Sequence, residues 1–474
     1  MSWFYGNVGR KKLHSPYYID DLAVRSPRMM NIPEPDAGLL IPTSSGMAPQ
    51  GTERYSIYIG RTKIRDIPYY YNPFAPVNPM FAILGSPGFG KSELLMNLIL
   101  RLKLKNPVDP AVVVIDPQGE YRRVLSHLAR FGIYGLELRV GVDSFINPFD
   151  SPEGVEYQLW VANAVIPSIL EALNITPSQA PRMDTVLKRV IFDVYHHQKG
   201  YNPSDPSTWR EPPTMLDIVR EVKAKIEEEL KRREQEKRSS GRLQSLYSIY
   251  DRLQKWVIGI GTDYFSRSST IPISDLLRAP ITVINVKHLE AEARDLVILY
   301  VFNVLYQLMK NMMPVRNRIR VAFIVDEGWI LLKRPTRKKE SPLEILMRQA
   351  RKYGFMVGVA TQKFDDLSNT ILSNVGTLFI FNPNDPKVVD YAKNAGVPEK
   401  TAKEILNLER GWCLVRSLWT SRQDVENPNA SFFVKVDSEV DPTITAVKPR
   451  RITPEEFIRH AETMALINEF SISI

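Results

Sequence analysis

The stretch GSPGFGKS, from Gly85 to Ser92, constrains this chain more than any other. It follows the apolar run Phe81–Leu84 and opens a segment in which Leu94, Leu95, Leu98, Ile99 and Leu102 recur at helical spacing. A strand that enters a glycine-rich turn and leaves as a helix begins a βαβ unit. It predicts an α/β fold, a parallel sheet with helices packed on it. The glycines let the backbone curl with its N–H groups inward, and the helix N-terminus adds a positive dipole there. The pattern G-x-x-x-x-G-K-[ST] predicts a phosphate cradle made of Gly85, Ser86, Pro87, Gly88, Phe89, Gly90, Lys91 and Ser92. Lys91 would reach the β- and γ-phosphates of ATP, and the Ser92 hydroxyl would ligate Mg2+. A plain strand–helix turn would need neither the lysine nor three glycines.

A second apolar run, RVAFIVDE from Arg320 to Glu327, delivers two carboxylates to a strand end. Asp326 is expected to hold the magnesium shell through water, and Glu327 to orient and deprotonate an attacking water. Alone, a strand ending in Asp-Glu could equally cap the next element. A third run, MVGVATQ, ends in Gln362, which would sense the γ-phosphate or position water. The alternative for Gln362 is an amide that satisfies loop backbone. Just upstream, MRQARKYG puts Arg348 and Arg351 three apart, on one helix face. Either could be supplied to a neighbour's site, where it would stabilise transition-state charge, or could form an ordinary surface ion pair.

The composition narrows the partners. With 62 Lys and Arg against 53 Asp and Glu, the 474-residue chain has a net charge of +9. Such a balance suits an anionic partner, nucleic acid or a lipid surface, or else is a surface that merely leans basic. The single cysteine, Cys413, excludes a disulfide framework and a cysteine-based zinc site. The start, MSWFYGNVGRKKLHSPYY, has no apolar run suited to export. The most hydrophobic helix, Leu296 to Met309, is interrupted or bounded by Asp295, Asn303, Gln307 and Lys310. A soluble cytoplasmic chain without a membrane segment is expected, with docking at the inner face of the cell membrane compatible.

Along the chain, residues 1–75 read as a small β-rich or extended arm with one strand signal at Tyr55–Ile59. Residues 76–150 carry the first βαβ signals. Residues 151–275 lose strand character and read as helices, including the charged run KAKIEEELKRREQEKRSSGR. That run is either a solvated helix laced with Glu–Lys and Glu–Arg pairs or a phosphate-contacting arm. Strand signals return over 276–440 at ITVINV, FMVGVAT, TLFIFN, GWCLVRS and SFFVKV. Residues 441–474 read as a tail with a helix opening at Thr453-Pro454-Glu455-Glu456. No internal repeat is apparent.

Five segments taken in order carry a resemblance. They are AILGSPGFGKS, VVVIDPQGEY followed by INPFD, LRAPITVINVKHL, VAFIVDEGWILL and RQARKYGFMVGVATQ. The second places Asp116, Gly119 and Glu120 after an apolar strand, which P-loop proteins in general do not require. Over residues 55 to 440 the chain resembles the HerA–FtsK branch of P-loop motor ATPases, especially the assembly ATPases of conjugation-type (type IV) secretion systems. The resemblance implies a RecA-like P-loop NTPase core, mostly parallel twisted sheet flanked by helices, with an inserted all-α subdomain. It also implies ATP-driven turnover in a homo-hexamer, Arg348 or Arg351 acting in trans, DNA in a central channel and membrane-embedded secretion or pilus components as partners. Two alternatives stand beside it, a soluble HerA-type translocase in DNA end processing and a nucleotide-stabilised docking ring. The chain departs from the family at its front, where seventy-five or so residues precede the loop in place of a long domain or a small β-barrel. Its Lys, Ile and Pro content and sparse Cys suit a thermophilic archaeal source.

Overall fold

The computed structural model describes residues 55–437, except 64–65, 67, 75, 77, 108, 153–154, 176–181, 237–240, 258–263, 316, 333–348, 350, 367–374, 395–396, 398 and 418–430. Residues 1–54 of the expected arm, the tail helix from Thr453 and Arg348 lie outside the described residues.

Apolar runs bounded by turn residues, most of them rich in β-branched residues, supply most of the strands. They are β1 (Ile57–Thr62), β2 (Pro68–Tyr71), β3 (Phe81–Leu84), β4 (Ala111–Asp116), β5 (Leu136–Arg139), β6 (Ile281–Asn285), β7 (Val321–Val325), β8 (Phe355–Thr361), β9 (Thr377–Ile380), β10 (Trp412–Ser417) and β11 (Ser431–Val436). All belong to one sheet, in the order β2-β1-β11-β10-β9-β3-β8-β7-β4-β6-β5. From β9 to β5 every neighbouring pair is parallel. Every residue of β3, β6, β7, β8 and β9 is buried, as helices on both faces of a parallel sheet require. The strands β10, β11, β1 and β2 extend the sheet antiparallel. The strand signal at Tyr55–Ile59 is thus built into the sheet as β1, beside β11 from the far end of the described residues.

Two helices follow the first parallel strands, α1 (Lys91–Lys105) after β3 and α2 (Arg122–Ala129) after β4. Between β5 and β6 the described residues form no strand. They hold a helix over 157–172 with a π-helical stretch at Val161–Val165, a second at Met183–Asp193, then α3 (Met215–Glu236) and α4 (Gly241–Leu253). Ion pairs lace the charged α3. Arg232 meets Glu228 at 2.7 Å, and Lys225 reaches Glu221 at 3.3 Å and Asp193 of the neighbouring helix at 3.1 Å.

The long apolar helix is α5 (Ala291–Asn311). Its polar interruption has an interior partner, because Asn303 Nδ2 donates to Ser168 Oγ at 3.0 Å, both side chains being buried. Among the described residues no helix is long and apolar enough to cross a membrane.

The sheet order places the site. Strands β3 and β4 are consecutive in the chain, yet β8 and β7 lie between them. All four are parallel, so their carboxyl ends share one edge, next to the switch in strand order where ligands of such sheets bind. The β3–β8 spacing depends on one complementary pair. Phe81 lies opposite Gly358, and a Cβ on Gly358 would stand 2.1 Å from Phe81 Cζ. That ring, fully buried, packs edge-on against Tyr71 and Phe379 at centroid distances of 5.7 and 6.0 Å.

Candidate nucleotide site

The loop after β3 is anchored at both ends and at its tip. Gly85 N–H donates to the Thr361 carbonyl at 3.3 Å and Ser86 N–H to the Asn382 carbonyl at 2.9 Å. At the tip, Gly411 N–H donates to the Phe89 carbonyl at 3.0 Å. Gly85 lies so close to the strand end below it that a Cβ would meet Phe381 Cβ at 2.6 Å. Gly90 caps α1 with φ 114°, a left-handed conformation that a side chain would strain. Pro87 and Gly88 are exposed at the loop's crest.

Lys91 folds back over the loop, its Nζ donating to the Ser86 carbonyl at 3.0 Å. Burial pulls its ammonium below the usual lysine range, while the nearby Asp326 and Glu327 carboxylates oppose that shift. Asp326 is only 4% exposed, and burial raises its carboxyl above the usual range. Hydrogen bonds from the Ser92 and Tyr121 hydroxyls hold the ionised form, the latter at 3.2 Å, and Lys91 adds favourable charge. The Ser92 hydroxyl and the Asp326 carboxylate therefore stand in contact in a poorly solvated corner beside the lysine. This donor set fits Mg2+, which takes a hydroxyl and one carboxylate and completes its shell with water and phosphate oxygens. Among the described residues no group of three or more His, Cys, Asp or Glu could hold a metal by itself.

Glu327, half-buried, follows directly at φ 56°, a left-handed conformation uncommon outside glycine. Gln362 Nε2 donates to its Oε1 at 3.0 Å. Gln362 therefore touches the carboxylate directly, beyond the two roles its sequence suggested.

Sequence reasoning missed two residues that the structure adds. Tyr121 ends the VVVIDPQGEY segment fully buried, its hydroxyl on Asp326, and Gln118 Nε2 lies 3.4 Å from Glu327 Oε1. The signal was the turn chemistry of Asp116, which is 1% exposed. Its Oδ1 accepts the N–H groups of Gln118, Gly119 and Glu120 at 3.2, 2.7 and 3.2 Å, and its Oδ2 that of Tyr121 at 2.9 Å. Burial nonetheless lifts the Asp116 carboxyl to about 6. Asp116 thus shapes a turn, and that turn presents Gln118 and Tyr121.

Arg351 lies elsewhere. It is half-buried, just before β8, and burial lowers its guanidinium from the usual value. Arg351 precedes the amino end of β8 and Gln362 follows its carboxyl end, so the 7 residues of the strand, at about 3.3 Å each, lie between them along the chain.

Residues 57–305, just over half the chain, match the family model described as the central domain of helicase HerA. The chain belongs to the HerA family. This is the branch that the five segments pointed to. Among curated proteins it is 26% identical over 178 residues to the DNA import protein CedB of Sulfolobus acidocaldarius, covering 36% of this chain and 29% of that one. The chain spans less than two thirds of the length of the curated relatives it matches. VirB4 of Thermoanaerobacter pseudethanolicus shares its fold with a TM-score of 0.61 at 17% identity, covering 84% of this chain and 99% of that one. So does the plasmid coupling protein TrwB in complex with ADP and Mg2+, with a TM-score of 0.51 at 13% identity over 85% of this chain and 94% of that one.

Proposed function

We propose that this protein hydrolyses ATP with Mg2+ and works as a ring motor in a conjugation-like DNA-transfer or type IV secretion apparatus. One observation carries the hydrolytic part. Lys91, Ser92, Asp326 and Glu327 come from separate stretches of chain and converge at one sheet edge, with an amide already on the Glu327 carboxylate. The backbone of residues 85–92 would cradle the triphosphate and Lys91 would leave Ser86 for its β- and γ-oxygens. Ser92 and Asp326 would hold Mg2+, which supplies charge neutralisation at the phosphates. Glu327 would accept a proton from the attacking water, with Gln362 beside it.

Arg351 precedes the amino end of β8, while the loop and the carboxylates stand at the carboxyl ends of the strands, which supports its supply, with or without Arg348, to a neighbouring subunit in a homo-hexamer. In such a ring the helical block over 151–275 would be an inserted subdomain between core segments 76–150 and 276–440. DNA in the channel would meet the basic balance of the chain through phosphate contacts, and a cytoplasmic ring would dock on membrane-embedded secretion or pilus components. The names of CedB and TrwB, a DNA import protein and a plasmid coupling protein, favour transfer. The family's own description, a helicase, favours a soluble translocase as the second candidate.

The test is native mass measurement together with ATPase assays in DNA and salt titrations. A hexamer whose ATPase rate rises with DNA at low salt, the effect fading as salt increases, is the expected result. A rate indifferent to DNA at every salt concentration removes the DNA motor. Co-isolation with membrane pilus components supports transfer, and co-isolation with a nuclease supports the translocase.

A further inference from the structure

We propose that Gln118 is a positioning residue for Glu327, fixing which carboxylate oxygen is presented to the attacking water. The inference rests on the hydrolytic role proposed for Glu327 and adds to it a residue outside both nucleotide motifs.

The strand order carries it. Strand β7, which runs into Asp326–Glu327, lies between β8 and β4. Gln362 therefore approaches Glu327 from one side and the turn after β4 approaches from the other. Both amides address the same atom, Gln362 Nε2 at 3.0 Å from Oε1 and Gln118 Nε2 at 3.4 Å. Neither addresses Oε2. A carboxylate held at one oxygen from two sides keeps its plane fixed and its second oxygen open to accept a proton.

Glu327 has need of such support. Its φ of 56° is a strained setting for a residue with a side chain, so its backbone is held in place by the surroundings. Its neighbour Gly328 is wedged so tightly that a Cβ would lie 2.6 Å from Val359 Cγ1. The backbone of Glu327 is thus constrained, while its side chain is half-exposed and orders only through its partners.

The turn carrying Gln118 is built to hold position. Four backbone N–H groups converge on the buried Asp116 carboxylate, and Tyr121 at the end of the turn is bonded to Asp326. Gln118 and Glu120 are the exposed residues of this turn, and Gln118 is the one whose side chain meets Glu327. A solvated turn glutamine would gain little by ordering, because fixing a long side chain costs conformational entropy. The 3.4 Å separation is at the long end for a hydrogen bond, as catalytic contacts often are before substrate binds.

The test uses the full chain with Mg-ATP and the variants Gln118→Ala, Gln118→Glu and Gln118→His, read by kcat, KM, nucleotide Kd and thermal midpoint. Gln118→Ala should lower kcat about tenfold to a hundredfold and leave KM, Kd and the midpoint close to wild type, the pattern of a lost positioning contact. Gln118→Glu should fall at least as far, because it removes the donor and sets a like charge against Glu327. Gln118→His, which restores an N–H at similar reach, should recover most of the loss. An unchanged kcat in Gln118→Ala overturns the proposal, and so does a loss matched in Kd and midpoint that histidine fails to rescue. Glu327→Gln serves as the reference. If it turns over ATP like wild type, the hydrolytic role itself fails. If it is inactive while Gln118→Ala is fully active, only the role of Gln118 falls.

Discussion

A methyl group placed on Gly358 tests how the sheet sets the spacing of the site. Gly358 lies opposite Phe81 in the β3–β8 pair, and the added Cβ would stand 2.1 Å from Phe81 Cζ, with Cε2 at 2.6 Å and Cε1 at 2.7 Å. No rotamer adjustment of a ring boxed in by Tyr71 and Phe379 absorbs that overlap, so the strands must part or the ring must move. Overpacking of this kind costs about 1–3 kcal/mol, whereas Phe81→Ala costs about 3–5 kcal/mol through lost burial and the cavity left behind. The double variant decides the mechanism. Once the ring is gone the methyl has room, and alanine outperforms glycine inside a strand by roughly 0.5–1 kcal/mol. Gly358→Ala should therefore destabilise the wild type but stabilise the Phe81→Ala background. Chemical denaturation of the four proteins, followed by tryptophan fluorescence, measures this cycle. Simple additivity would refute the steric account, since residues in direct contact must couple. Turnover offers a second readout, because β3 leads into Lys91 and β8 into Gln362. ATPase activity should fall in Gly358→Ala and recover in part with the double variant.

Three further outcomes are expected. Lys91→Ala removes the ammonium that lies over the loop and should weaken Mg-ATP binding about ten- to hundredfold by calorimetry, with the fold intact by circular dichroism. Asp116 has a folded pKa of about 6, above the unfolded value of about 3.9. The native state then holds the extra proton between those values, so this group's contribution is present at low pH and is lost as pH rises through about 6, by up to about 3 kcal/mol. The wild type should accordingly lose more stability than Asp116→Asn between pH 4.5 and pH 8 in paired denaturation curves; parallel curves would contradict the burial effect. Finally, Arg351→Ala and Lys91→Ala should each abolish turnover alone, while a mixture of the two subunits recovers part of it in ATPase assays. A mixture as inactive as its parents would exclude supply of the arginine to a neighbour.

The parallel core was legible because its strands are buried on both faces and so appear as unbroken apolar runs. FAIL, ITVIN and VAFIV could be recognised without their partners. The cradle from Gly85 to Ser92 was equally plain, since its geometry is local and each residue type has a local reason. The antiparallel wing was harder. β1 pairs with β11 from the other end of the described residues, and nothing near Ile57 specifies that partner. The convergence on Glu327 was hidden for a related reason. Gln118, Glu327 and Gln362 meet because β4, β7 and β8 are neighbours in an order that the chain does not follow. The DPQGEY turn could be seen as a turn, but its destination depended on the sheet. Asn303 pointed the right way, since a polar residue inside the apolar α5 argued against a membrane span, and it has a buried partner in Ser168.

The central claim is that Glu327 is the base of an ATP-hydrolysing site. The measurement that reaches it most directly is single-turnover hydrolysis by Glu327→Gln, with nucleotide binding followed in the same samples. The change is isosteric, keeps an oxygen for the Gln362 and Gln118 amides, and removes the group that would take the proton. The account predicts that Mg-ATP still binds with near wild-type affinity while hydrolysis is lost. Hydrolysis at the wild-type rate would contradict it.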